Sequence, residues 1–157
     1  MKFIPLTQGR VAVVDDADYE RLFQHKWCYC ESNGGYAMRN SPRINGQHHS
    51  ILMHREVLGT PEGFDTDHRD RNTLNNQKAN LRVATKVQNG GNRGKTHGRT
   101  SKYKGVYFDK ARGKFSAMIQ VGGKRRCLGR FDGELAAALA YDDAALELFG
   151  DYAKVNL

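Results

Sequence analysis

Cysteine, proline and tryptophan are all scarce in this chain, with three, three and one copies among 157 residues. Three cysteines, Cys28, Cys30 and Cys127, are too few and odd in number for a disulfide framework. Cys28 and Cys30 alternate within an aromatic, strand-like run, and no second pair completes a zinc site, so reduced thiols and no structural zinc are expected. Long apolar stretches are missing as well. No run is long enough to span a bilayer and no hydrophobic signal region follows Met1-Lys2, which argues against a membrane partner and for a soluble, cytoplasmic chain.

Acidic residues are in deficit. Lys and Arg number 25 against 17 Asp and Glu, a net charge of +8 that favours a polyanionic partner. The excess is concentrated between Lys86 and Arg130, where Asp109 is the only acid. After that the sign flips, with Asp132, Glu134, Asp142, Asp143, Glu147 and Asp151 against the lone Lys154. One segment is built to meet phosphate and the last to face away from it.

The chemistry-bearing stretch opens at Asp67-His68 and continues through Asn75-Asn76, Asn80-Leu81-Arg82 and Asn89. An imidazole can take a proton from water near neutral pH. A carboxylate and an amide carbonyl are hard oxygen ligands that suit Mg²⁺. Together they are the inventory for hydrolysing a nucleic-acid backbone. Phe64 to His68 reads as a short strand, Asp70 to Ala79 as a turn-rich loop, and Leu81-Arg82-Val83 as a second strand. Thr85 is placed to N-cap a short helix carrying Asn89, which Gly90-Gly91 is expected to end early.

This ordered set resembles the Asn-rich HNH endonucleases of homing and phage type, whose pattern runs Asp-His, Asn-Asn, Asn-Leu-Arg and a final helical Asn. The resemblance implies a ββα-metal core over about 64–93, with His68 as general base. It implies Asp67 and Asn89 as ligands of Mg²⁺ or Mn²⁺, with Asn92 as the alternative late ligand, and Asn80 as the brace of the loop that aims His68. Met53-His54-Arg55 and Val57-Leu58 resemble the segment preceding the metal core in such proteins, with His54 in a packing or phosphate-positioning role, and the alternation around Arg39, Arg43 and Arg55 brings these forward as DNA contacts of the N-terminal platform. It also implies the cytoplasm of a bacterial or phage-infected host cell.

Residues 94–101 form a basic, Gly-rich linker with no large apolar side chain, and the boundary lies near Arg99. Beyond it, Tyr103 to Tyr107, Lys114 to Ile119 and Cys127 to Phe131 read as three short strands separated by turn signals such as Gly122-Gly123. A helix follows from Gly133 or Glu134 to about Leu148, and Gly150 ends it. Its Ala136, Ala137, Ala140, Ala144 and Ala145, with Leu135, Leu139 and Tyr141, are expected to lie on the sheet. Val106, Phe108, Ile119, Leu128 and Phe131 are core by alternation.

Tyr103-Lys104-Gly105-Val106, Cys127-Leu128-Gly129-Arg130-Phe131, Ala137-Ala138-Leu139-Ala140-Tyr141-Asp142 and Asn156 give 102–157 a resemblance to the APETALA-type domain of plant ethylene-response factors. The resemblance implies a sheet lying in the DNA major groove, with Lys104, Tyr107, Arg112, Lys114, Gln120, Arg125 and Arg126 as the matching exposed contacts, joined from upstream by Arg93. Tyr107, Phe115 and Cys127 stand where that family reads bases with Arg and Trp, so its target sequence does not transfer.

In the N-terminal region Phe3 to Leu6, Val11 to Val14, Trp27 to Glu31, Tyr36 to Arg39 and Gln47 to Met53 look like strands, with Asn33-Gly34 and Asn45-Gly46 as hairpin turns. Asp15 can N-cap a short helix bearing Tyr19, Leu22 and Phe23. The expectation is an α+β chain: a β-rich platform and ββα-metal nuclease core in 1–93, then a three-stranded antiparallel sheet packed on one helix. Double-stranded DNA is the expected partner, and Mg²⁺-dependent phosphodiester hydrolysis that nicks one strand is the expected reaction. A non-catalytic DNA-binding regulator on the same fold is the competing class, and basic charge alone does not separate DNA from RNA.

Overall fold

The computed structural model describes residues 1–94 and 100–157, apart from the side chain of Asn33. Most of the linker expected at 94–101, with Lys95 and Arg99, lies outside the described residues. Chain contacts divide the molecule into two compact units, Met1–Ala84 and Thr85–Leu157. Both are α+β, with small antiparallel sheets and four helices in all among the described residues.

The first unit starts with a hairpin of β1 (Lys2–Pro5) and β2 (Val11–Val14), paired from Lys2 with Val14 to Pro5 with Val11. Alternation sets its faces: Ile4, Leu6, Ala12 and Val14 turn inward, while Phe3 and Val11 are exposed. Helix α1 (Asp16–Phe23) follows and brings Leu22 into the core. Asp15 stands at its N-cap, but the carboxylate makes no capping bond. It accepts instead from Gln77 Nε2 at 3.1 Å and the Lys78 backbone N–H at 2.8 Å, tying the platform to a distant loop.

A three-stranded sheet comes next, in the order β3 (Cys28–Cys30), β4 (Tyr36–Asn40), β5 (Ser50–Leu52). The Asn45-Gly46 turn has positive φ at both residues, 52° and 77°, the backbone a tight hairpin needs. The Asn33-Gly34 connection is instead a 3-10 turn over Glu31–Asn33 closed by Gly34 at φ 86°. The strand expected over Gln47 to Met53 is also shorter than its alternation suggested. Met53 opens helix α2 (Met53–Leu58), because Met53 and Val57, four residues apart, both drop into the core. The unit ends in a two-stranded hairpin, β6 (Asp65–His68) with β7 (Leu81–Ala84).

The second unit begins with α3 (Lys86–Asn92). Thr85 caps it in a full capping box, its hydroxyl accepting from Gln88 N–H and the Gln88 side chain accepting from Thr85 N–H. The helix does not stop at Gly90-Gly91; it runs through both to Asn92. A helical glycine costs about 0.5–1 kcal/mol relative to alanine, and at Gly91 the reason is packing: a Cβ there would stand 2.6 Å from Phe149 Cγ. At Gly90 a Cβ would meet nothing within 4 Å.

Strands β8 (Val106–Asp109), β9 (Lys114–Val121) and β10 (Lys124–Phe131) form an antiparallel sheet in the order β10-β9-β8. Helix α4 (Glu134–Phe149) lies on it through Ala137, Ala138, Tyr141, Ala145 and Phe149. Small residues permit the close approach. Leu135 and Leu139 fall on the opposite, solvent side at 52% and 49% exposure, so they are not part of the packed face assigned to them from the sequence. Gly105, at φ 75°, admits the Tyr141 ring where any side chain would collide. Asn156 closes the unit: its amide donates to Asp142 and Lys104 O, and its carbonyl accepts from Lys104 N–H.

Candidate active site

In the first unit, β6 and β7 pair so that Asp67 faces Arg82 and His68 faces Leu81. Asp67 is buried at 4% exposure, and its Oδ2 lies 2.7 Å from both Nε and Nη2 of Arg82. A buried carboxylate is tolerable only when its charge is matched, and the cross-strand guanidinium does that. His68, also 4% exposed, places Nε2 3.4 Å from Asn76 Oδ1. Asn76 uses its own amide N–H toward Leu74 O, which turns Oδ1 to the imidazole and makes Nε2 the donor. In that neutral tautomer the basic nitrogen of His68 is Nδ1.

The loop from Arg69 to Asn80 is polar in composition and fully structural in its bonds. Asp70 accepts from Asn72 N–H at 2.8 Å, Asn75 Nδ2 at 2.8 Å and Asn80 Nδ2 at 2.9 Å. Burial raises its pKa, but these bonds win and hold it below the usual carboxylate value. Asn80 returns an acceptor to Asp70 N–H, donates to Asn75 O, and its backbone carbonyl accepts from Arg69 N–H. It therefore stitches both ends of the loop directly behind His68. Val13 N–H to Leu74 O and Asn76 N–H to Val13 O fasten the same loop to β2 at 2.8 and 2.7 Å.

His54 on α2 was read from the sequence only as a packing or phosphate-positioning group. It is 5% exposed, its ring meeting His68 edge-on at 5.2 Å and Tyr36 of β4 at 4.7 Å between centroids. Its Nδ1 has no hydrogen-bond partner among the described residues. Burial, reinforced by the charges of His68 and Arg55, pushes His54 down to about 3. Burial likewise pushes His68 below the ordinary histidine value, against the pull of Asn76, Asp70 and Asp67. Both rings are thus neutral at neutral pH. Only the fold brings Tyr36, His54 and His68 together; the four-residue spacing of Met53 and Val57 is the helical signal that could have set His54 beside the core.

Residues 49–90 match the family model described as HNH endonuclease. The match begins before β5, contains the β6–β7 hairpin and stops in α3, well short of half the chain; it supports a nuclease or DNA-binding segment of HNH type. No solved structure matches the chain. The HNH-like segment holds Asp67, His68, Asn80 and Asn89, with Asp67 and His68 in the first compact unit and Asn89 on α3 in the second. Among the described residues no group of three or more His, Cys, Asp or Glu side chains comes together to hold a metal. A carboxylate such as that of Asp67 and an amide carbonyl such as that of Asn89 are each hard-oxygen donors of a kind that suits Mg²⁺.

The remaining candidates fall into distinct places. Arg55 turns its guanidinium to the carbonyls of Phe64, Thr60 and Pro61, holding the loop between α2 and β6. In the second unit, strand register puts Tyr107, Lys114, Gln120 and Arg125 on the sheet face away from α4. Arg130 joins that face opposite Ser116, a position not singled out from the sequence because a β-bulge between Cys127 and Gly129 shifts the alternation. Arg126 pairs with the buried Ile119 and so stands on the helix side of the edge strand. Arg112 bonds Asp109 at 3.0 Å and Lys114 bonds Asp132 at 2.8 Å. Lys104 reaches Gly91 O at 2.6 Å, and Arg93 is exposed at the end of α3.

Proposed function

We propose that the HNH-like segment is a metal-dependent endonuclease acting on double-stranded DNA. The observation that carries the reading is His68: a buried imidazole held below the ordinary histidine value by burial, with Nε2 3.4 Å from Asn76 Oδ1, at the end of a strand and behind a braced loop. That is a base held ready for water. His68 takes the proton of the attacking water, Asn76 fixes the ring's tautomer, and Asn80 keeps the loop from moving the ring out of line. Asp67 and Asn89 are the residues proposed to hold a divalent ion, Mg²⁺ or Mn²⁺, which when bound would supply positive charge to offset the charge developing on the phosphate and the leaving oxygen. Products carry 5′ phosphate and 3′ hydroxyl. A single such site nicks one strand.

The C-terminal unit serves this reaction by placing it. Its three-stranded sheet backed by one helix, and the Asn156 clamp on Lys104 and Asp142, agree with the resemblance to APETALA-type domains. A β-ribbon of this size fits the major groove. Tyr107, Lys114, Gln120, Arg125 and Arg130 then meet DNA from one face, with Arg112 at its margin.

A second reading has one observation in its favour. Arg82 bonds the Asp67 oxygen from two nitrogens, and a guanidinium at the proposed ligand suits a fold kept for binding alone. The two readings separate on a supercoiled plasmid library. The nuclease gives relaxed circles with Mg²⁺ and none with EDTA; tight binding that is indifferent to Mg²⁺ and leaves every plasmid supercoiled selects the binder.

A further inference from the structure

The C-terminal unit contains a groove of about 620 Å³ that no step of the reaction uses. We propose that it is a second phosphate track, taking the phosphodiester backbone of the same DNA duplex beyond the part held by the sheet face; the proposal rests on the reading of the chain as DNA-binding. Four cations line the groove, Lys86 from α3, Arg93 at its C-cap, Lys104 from the segment before β8, and Arg125 from β10. None of its described lining residues is acidic. Lys104 is fixed there by its bond to Gly91 O and by the Tyr141 ring beneath it at 5.6 Å. The position of this charge at the rim is therefore set by the fold, where it adds to the positive field of the groove.

The groove exists because β9 continues to Val121 while β8 pairs with it only as far as Ala117. Helix α3 packs against this overhang, and Ile119, Tyr141 and Phe149 supply an apolar floor for the carbon edge of a sugar. Gly90, Gly122 and Gly123 complete the wall. Gly90 is the telling one. It lies inside a helix, where glycine is unfavourable, and unlike Gly91 it has no packing neighbour that requires it. A residue without a side chain at that position lets a backbone come close.

The choice of a polymer over a single nucleotide follows from continuity. Arg125 lines the groove and also belongs to the outer sheet face with Gln120, its register partner. From the β9–β10 tip, residues 121–126, to α3, no acid interrupts the cations among the described lining residues. A free mononucleotide needs no such continuation.

The test uses fluorescein-labelled duplex DNA titrated in EDTA at several KCl concentrations, with the full chain as wild type, Lys86→Ala/Arg93→Ala and Gly90→Glu. Gly90→Glu places an acid at the groove, at a position where an added Cβ meets nothing within 4 Å, and thermal melts confirm that each variant folds. The double variant is expected to bind at least tenfold more weakly, with the slope of log K against log salt smaller by about 2, roughly 0.9 for each phosphate no longer neutralised. Gly90→Glu is expected to weaken binding similarly. Wild-type affinity and slope in both folded variants overturn the proposal, as does wild-type binding of deoxyadenosine monophosphate as tight as duplex and abolished in the variants. Because EDTA removes cleavage from the measurement, intact plasmid nicking beside unchanged groove variants sinks the groove alone. Absent nicking beside a groove-dependent salt slope sinks the nuclease alone.

Discussion

The loop from Arg69 to Asn80 and the β9–β10 tip from Val121 to Arg126 are both polar and rich in turn formers, yet they direct their polar groups in opposite ways. In the loop, Asp70, Asn75, Asn76 and Asn80 bond to one another and to the backbone, so the polarity is turned inward and makes a rigid support for His68. At the tip, Lys124, Arg125 and Arg126 are exposed. Residue type alone does not separate a scaffold from a binding surface. The destination of each donor does.

If that contrast is right, substitutions in the first region reduce stability and those in the second reduce binding. The largest effect is expected at Asp67→Ala, which removes the buried carboxylate paired with Arg82 across the strands. Loss of a buried partner costs about 3–5 kcal/mol, to be measured by urea unfolding, and cleavage should vanish with it. A stability change under about 1 kcal/mol, the range of exposed pairs, breaks the inward half of the comparison. Next comes Asn80→Ala. Three side-chain hydrogen bonds disappear, for an expected loss of about 1–3 kcal/mol and slower cleavage at unchanged DNA affinity.

Acid should expose the same region. The folded chain holds His54 at about 3 against an ordinary 6.5, so between those values the unfolded chain binds a proton that the folded chain refuses. Stability then rises with pH across that window and falls as acid approaches, by up to about 1.4 kcal/mol per pH unit. His68, depressed in the same direction, adds to the slope. His54→Gln should flatten the stability profile between about 3 and 6.5; an unchanged profile removes His54 as its source.

The outward region gives the smallest stability effect. Arg125→Ala should stay within about 0.5 kcal/mol of wild type while lowering DNA affinity severalfold and the salt slope by about 1. A large stability loss there would erase the distinction between the two regions.

The parts of this fold that were legible in the sequence are those fixed by neighbours along the chain. The Asp65–His68 and Leu81–Ala84 hairpin, the Thr85 cap and the three strands followed by α4 all follow from short-range alternation, capping and turn chemistry. What escaped depends on distant partners. Asp15 looks like a cap, but Gln77 and Lys78 claim its carboxylate from across the unit. Gly90-Gly91 looks like a stop, but Phe149 packs on Gly91 and the helix continues. In the site itself, Asp67, His68 and Asn80 were readable as a motif with chemistry attached. The Arg82 pair, the Asn76 contact that sets the His68 tautomer, and the Tyr36–His54–His68 ring cluster are products of strand register and packing.

The central claim is that His68 is the base, and single-turnover cleavage of one plasmid substrate by wild type and His68→Ala, with DNA affinity measured on both in EDTA, tests it most directly. The account predicts a rate loss of about 10²-fold or more at unchanged affinity; His68→Ala cutting at the wild-type rate would contradict it.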